Sequence, residues 1–500
     1  MICRILLALV FSILSFSCVK TKEEVLPATP NTTSPTPTGT TNNGLEDKSF
    51  HELASDYEYD KAGALQINLN QTTATSTASG VKITGQTITI STAANYILKG
   101  SLTDGQIIID TKDDKVVRLA LNGVNIKKET SAAIYIKNAK KVIIDIVEGT
   151  ENTLSDAGKT YIYDDAVALE PNAVIFSKED LSIMGNGKLT INAGFKDGIA
   201  SKDGLVIKSG NTEVTAADDA IRGKDYVVMQ GGNLILKAGA DGIKATETTD
   251  ATLGYLTING GDVQITAGDD GMHGENAITI NNGNINIKTS REGIESKKIT
   301  INDGHVELIS TDDGINVGDG TDSKSGNRDL SFTMNGGYLL VNSNGDGLDS
   351  NGSIFMNGGK VIVYGPTAGG NSALDFDGSF TLNGGLLISF VGTAQMAQQP
   401  GNTSKQNNVM VQFPAAYNAT NIVHVEDADA KELITISPLK RYQVMVFSSP
   451  NLKNGSYKLF LGGSSDKTAP DGFLTGSKYS IGTLNTTFTL SNIATKISGK

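Results

Sequence analysis

The chain has 500 residues, with 56 Gly, 11 Pro, no Trp and two Cys, and a formal net charge of −12. An acidic balance of that size argues against nucleic acid or an anionic lipid surface as a direct partner, and puts a cation between the protein and any polyanionic ligand. With 38% apolar residues the sequence can build a large ordered domain with accessory parts.

At the N-terminus Arg4 precedes an apolar run from Ile5 to Leu14, and Ser15-Phe16-Ser17 leads into Cys18. This is the pattern of an export signal. It resembles a bacterial lipoprotein signal over residues 1–18, with Cys18 as the lipidated residue, although Leu14 lies one place further from the Cys than the usual pattern has it. An ordinary secretory signal is the alternative. Cleavage there removes Cys3 and leaves no pair for an internal disulfide. Lys22-Glu23-Glu24 resembles the lysine-acid-acid tag of surface-exposed Bacteroidota lipoproteins, so an outer-membrane or cell-surface location is expected, with membrane contact only through the lipid. Residues 19–64 read as a tether, because the Thr, Pro and Asn of segments such as Ser34-Pro35-Thr36-Pro37 cannot form a core.

From residue 65 to 392 the expected fold is all-β, a right-handed parallel β-helix. An acid-Gly-apolar phrase recurs about every 22 residues, as Asp197-Gly198-Ile199, Asp219-Ala220-Ile221, Asp241-Gly242-Ile243, Asp270-Gly271-Met272, Glu292-Gly293-Ile294, Asp313-Gly314-Ile315 and Asp346-Gly347-Leu348. A period of that length without a helical pattern inside it means one solenoid coil per repeat. Within a coil, Leu256-Thr257-Ile258, Val263-Gln264-Ile265 and Met272-His273 alternate in period two between Gly, Asn and Asp turns, which predicts three short strands. Two longer repeats carry insertions at one place, around Glu247 to Gly254 and Gly318 to Arg328, so both loops should leave the same edge. After about Gly392 the period stops, and residues 393–500 read as a small β domain covering the open end of the coil.

A family resemblance rests on several phrases in order: Asp104-Gly105-Gln106-Ile107-Ile108, Leu121-Asn122-Gly123-Val124-Asn125-Ile126, Glu148-Gly149-Thr150-Glu151-Asn152-Thr153-Leu154, Ile175-Phe176-Ser177-Lys178-Glu179-Asp180-Leu181 and Asp197-Gly198-Ile199-Ala200-Ser201-Lys202. From about residue 85 onward the chain resembles the bacterial carbohydrate-binding β-helix family first described in a cellulolytic clostridium. The resemblance implies a polysaccharide-lyase-like fold, calcium on Asp-rich turns, and binding of cellulose and pectin-like acidic sugars such as polygalacturonate. Ala220, Glu292 and Ser372-Ala373 depart from the family pattern at their turns.

Stacking places the acids of successive coils about 4.8 Å apart, where like charges repel by about 1 kcal/mol in water and more when shielded. A calcium ion bound by carboxylate and turn-carbonyl oxygens removes that cost. The expected metal set is Asp218, Asp219, Asp241, Asp269, Asp270, Glu292, Asp312 and Asp313, which includes the three coils where the acid is doubled. The alternative is that each Asp simply caps a backbone amide in its turn. Three places after each acid, strand alternation points a residue outward, and Arg222, Lys244 and His273 there are the expected ligand-binding cations. Calcium-assisted β-elimination needs a Lys or Arg as base, so Lys244 and Arg222 are the catalytic candidates if the protein is a lyase. A purely structural or adhesive surface protein is the third reading. Four His without zinc-like spacing and acids that face one way leave zinc chemistry and glycoside hydrolysis without a site.

Overall fold

A computed structural model describes residues 52–58, 60–320 and 329–500. The expectations for the signal segment 1–18, for Cys18 and for residues 19–51 of the tether lie outside the described residues. Apart from one short 3-10 turn at Ala54–Tyr57, the regular structure is all strand. One coil runs through Ile221–Gly223, Tyr226–Met229 and Asn233–Ala238, and the next through Ile243–Ala245, Tyr255–Ile258 and Asp262–Thr266. Each strand pairs in parallel with its counterpart one coil away, giving three ladders along a parallel β-helix. The ladder that carries the acid-Gly-apolar phrase is a sheet of 13 strands.

The core follows from the period-two alternation. In the first ladder Ile199, Ile221, Ile243, Met272, Ile294, Ile315 and Leu348 each turn inward and are no more than 1% exposed. Each contributes roughly 1.5–3 kcal/mol by leaving water. Both insertions lie between the first and second strands of their coils, after Ala245 and after Val317, as the spacing predicts; residues 321–328 of the second are outside the described set.

At the turn before the third ladder the side chains also stack. Asn281 donates to Asn259 at 2.7 Å, Asn302 to Asn281 at 2.7 Å, Asn335 to Asn302 at 2.7 Å, Asn357 to Asn335 at 2.8 Å and Asn383 to Asn357 at 2.8 Å. This asparagine ladder locks the register of consecutive turns. Gly185 shows how tightly coils approach. Its φ is +114°, and a Cβ there would lie 2.1 Å from the carbonyl oxygen of Ile146. Gly185→Ala is therefore expected to cost about 3 kcal/mol or more, because a strained backbone and a clash with backbone add. Gly123→Ala, at φ +75° with open space around the new methyl, should cost only about 1 kcal/mol. Urea unfolding of the two variants distinguishes the cases.

Both ends of the coil are closed. At the start, Val81–Thr84 and Thr87–Ile90 form an antiparallel pair below the first parallel strands. Packing on the coil already includes residues ahead of Leu65: Lys141 Nζ meets Glu52 at 2.6 Å and Asp56 at 3.0 Å, and Lys61 pairs with the fully buried Asp145 at 2.8 Å. At the other end Leu386–Val391 pairs antiparallel with Tyr442–Ser448, and residues 401–406 bond to Phe380 and Leu382 on the last coil. A four-stranded sheet of Glu432–Ile436, Val423–Asp427, Gly455–Leu461 and Thr483–Leu490 packs its own aromatic core there, including Phe413, Tyr442 and Phe447.

Candidate functional site

The acids of the repeat form one column on the turn that enters the first ladder. Asp197, Asp219, Asp241, Asp270, Glu292 and Asp346 are each at most 9% exposed. Isolated carboxylates at that depth are costly, so their oxygens must be accounted for. One oxygen is used between coils. The amide of Asp241 donates to Asp219 Oδ1 at 3.1 Å, that of Asp270 to Asp241 Oδ1 at 2.8 Å and that of Asp346 to Asp313 Oδ1 at 2.6 Å, while Ser372 N donates to Asp346 Oδ1. The capping role expected for these acids is real for Asp219, Asp241, Asp313 and Asp346, but each of the four caps the next coil, not its own turn.

The outward row three residues on decides what happens to the other oxygen. Its register runs Tyr135, Phe176, Ala200, Arg222, Lys244, His273, Glu295, Asn316, Asp349, Asp375. It changes from aromatic through basic to acidic along the rod. Arg222 pairs with Asp197 Oδ2, Lys244 Nζ lies 2.5 Å from Asp241 Oδ2, and His273 Nδ1 lies 3.0 Å from Asp270 Oδ2 and 3.1 Å from Glu295 Oε2. The three cations thus spend their charge on the column.

Their proton affinities follow. Burial alone would lower Lys244 and His273, but the hydrogen bond and charge of Asp241 hold Lys244 above its ordinary value, and Asp270 with Glu295 lifts His273 to about 10. His273 in turn holds Glu295 down at about 2. Burial raises Asp197 and Asp270 to about 7.

Further along, the built-in cations are missing. Asn316 and Asp349 stand where Lys244 and His273 stand earlier, and the register places Asp349 beside Asp375. Among the described residues, Asp349 and the second oxygens of Asp313 and Asp346 have no ion-pair partner. Burial, with neighbouring carboxylates adding, raises Asp313 to about 7, Asp346 to about 6 and Asp349 to about 8.

The expected metal residues divide accordingly. Asp218 pairs with Lys196 at 2.7 Å, and Arg291 bridges Asp269 at 2.6 Å, Glu292 at 2.8 Å and Asp312 at 3.3 Å, so the doubled acids hold surface ion pairs outside the buried column. Asp219 and Asp241 serve the amide chain and Lys244. Among the described residues two sets bring potential ligand atoms within 4.8 Å of one another: Asp241, Asp270 and His273, and Asp270, Glu292 and Glu295. The second offers only carboxylate oxygens, the donor chemistry of a hard dication. It also coincides with a break in the amide chain, since Asp270 Oδ1 is buried without a hydrogen-bond partner. Asp270, Glu292 and Glu295 therefore carry the donor chemistry of calcium, but His273 already lies between Asp270 and Glu295, and Arg291 and Asn316 already hold Glu292, so an ion bound there would displace these protein partners. In the protonated-His273 set, an imidazolium already occupies the place of a metal. The expected metal set omits Glu295, Asp346 and Asp349. For Glu295 and Asp349 the signal in the sequence is the outward row, which turns acidic at Glu295, and for Asp346 it is the acid-Gly-apolar phrase itself.

A family model described as carbohydrate-binding domain-containing protein matches residues 84–369. A curated relative from Acetivibrio thermocellus, described in the same words, is 40% identical over 137 residues, which are 27% of this chain and 48% of the relative. The chain thus spans about half the length of that relative. A solved structure, described as the polysaccharide lyase-like protein from C. thermocellum in a gadolinium derivative, has 33% identity and a TM-score of 0.44, and the match covers 51% of this chain and 98% of that one.

Proposed function

The chain belongs to the carbohydrate-binding domain family, and from that premise we propose that it binds acidic polysaccharide of the polygalacturonate type through calcium held on the acid column. The observation that carries this reading is the convergence of carboxylate oxygens from Asp270, Glu292 and Glu295 within 4.8 Å of one another, together with an Asp270 Oδ1 that is buried without a hydrogen-bond partner. A calcium ion bound there supplies open coordination positions for a uronate carboxylate. The protein's part is to hold the carboxylates in register by the strand ladder and to keep Arg222 and Lys244 as fixed counter-charges on the neighbouring coils, while His273 is the cation that calcium would displace from Asp270 and Glu295. An export signal with Cys18 as lipid anchor would present this face at the cell surface.

Binding is favoured over elimination by the state of the candidate bases. A base must give up its proton before it can abstract one, and Lys244 holds its proton more tightly than usual against Asp241. The test is calorimetric titration with hexagalacturonate. Chelator, or Asp270→Asn with Glu295→Gln, is expected to weaken binding at least about tenfold, near 1.4 kcal/mol. Unchanged binding in chelator sinks calcium bridging. Release of unsaturated uronides that is lost in Lys244→Ala would instead establish a lyase.

A further inference from the structure

We infer that the C-terminal end of the rod carries a second carbohydrate site of different chemistry, a charge-free cleft for uncharged pyranose chains. The cleft has a volume of about 580 Å³ and is lined by Asn402, Asn407, Asn454, Ser491 and Asn492 over Ile493. It lies outside residues 84–369, to which the family match extends. The inference shares with the proposed function only the premise that the ligand is carbohydrate.

Three segments meet at the cleft: residues 401–407, which close the last coil, the connection between Tyr442–Ser448 and Gly455–Leu461, and the turn before Ala494–Ser498. Its floor is fixed from below. Asn408, 0% exposed, donates from its backbone to Ile493 O at 2.7 Å and from its side chain to the same oxygen at 3.2 Å. Gln399 Nε2 donates to Asn408 Oδ1 at 2.8 Å, and the buried Ser448 hydroxyl donates to Asn407 O at 2.6 Å. The shape therefore exists before any ligand arrives, which lowers the ordering cost of binding.

The lining chemistry selects the ligand. Asn407 Nδ2 donates to Asn454 Oδ1 at 3.0 Å, which orients both amides and leaves Asn407 Oδ1 and Asn454 Nδ2 for a ligand. A carboxamide presents a donor and an acceptor side by side, which matches neighbouring sugar hydroxyls, each both donor and acceptor. No carboxylate and no cation lines the cleft, in contrast to the acid column, so nothing there selects a uronate or requires a metal. The volume lies within the roughly 300–1,000 Å³ typical of ligand sites. The cleft is also joined to the acid row, because Gln398 Nε2 donates to Asp375 at 2.5 Å while its neighbour Gln399 holds Asn408.

The experiment titrates the full chain, in chelator, with β-linked hexamers of glucose, mannose and xylose, and separately with hexagalacturonate in calcium. At least one neutral hexamer is expected to bind in chelator, and Asn407→Ala and Asn454→Ala are each expected to weaken it about tenfold. Hexagalacturonate binding should stay unchanged in both variants. Thermal unfolding checks that they fold, and Asn492→Arg, which blocks the cleft from an exposed position, gives an independent loss. Absence of binding by all three neutral hexamers, or binding undiminished in the variants, overturns the proposal. Failure of calcium bridging shows only in the hexagalacturonate arm, so the two readings fail separately.

Discussion

In metal-free buffer the protein is expected to unfold at a lower temperature at about pH 8.5 than at about pH 5.5, the reverse of ordinary acid denaturation. The largest share comes from the part of the column without built-in cations. Asp349 at about 8, Asp313 at about 7 and Asp346 at about 6 all bind protons more tightly folded than unfolded. Between the ordinary carboxylate range and these values the folded state holds the extra protons. Stability therefore falls as pH rises through that window, and the contribution is gone above about pH 8. After allowance for solvent screening each group contributes about 1–2 kcal/mol, so the midpoint should drop by several degrees. Calcium is expected to compensate most at the higher pH, where the carboxylates are ionised and free to bind it. Calorimetric scans at both pH values, with chelator and then with calcium, provide the measurement. The combined variant Asp313→Asn, Asp346→Asn, Asp349→Asn should make the pH dependence shallower, with the remaining slope coming from Asp197, Asp270 and His273, whose proton affinities are also raised in the fold. A midpoint that rises toward pH 8.5 in chelator, or a slope as steep in that variant as in the parent, contradicts this account.

Lys244→Met is expected to destabilise the fold by about 3 kcal/mol, because it leaves the carboxylate of Asp241, 1% exposed, without its counter-charge. Adding Asp241→Asn should recover most of that loss. The asparagine oxygen still accepts the amide of Asp270, and no buried charge remains. Urea unfolding of the single and double variants measures the coupling. If Lys244→Met leaves stability unchanged, the lysine is a free surface cation, and the expectation that it faces a ligand or a reacting proton regains its force.

Much of the architecture was legible because a solenoid repeats its physics. Each coil buries an apolar residue at the same phase, so Ile221, Ile243, Met272 and Ile294 announce their ladder by spacing alone. The outward row was equally readable, as alternation places Arg222, Lys244 and His273 on adjacent coils. The partners of that row were not readable. Whether a cation serves a ligand or a buried acid depends on side-chain reach across coils: Arg222 reaches back to Asp197, one coil earlier, whereas Lys244 folds onto Asp241 in its own coil. The asparagine cleft was hidden for a related reason, since Asn407, Asn454 and Asn492 come from distant segments with no shared period.

The sequence by itself determined the coil, its three ladders and the column of acids, because period and alternation act locally and repeat. Only the tertiary structure decided which carboxylates are neutralised by protein cations and which are left to a proton or a metal. That distinction rests on burial and on distances of a few ångströms between coils, and the same Asp-Gly-apolar phrase occurs on both sides of it.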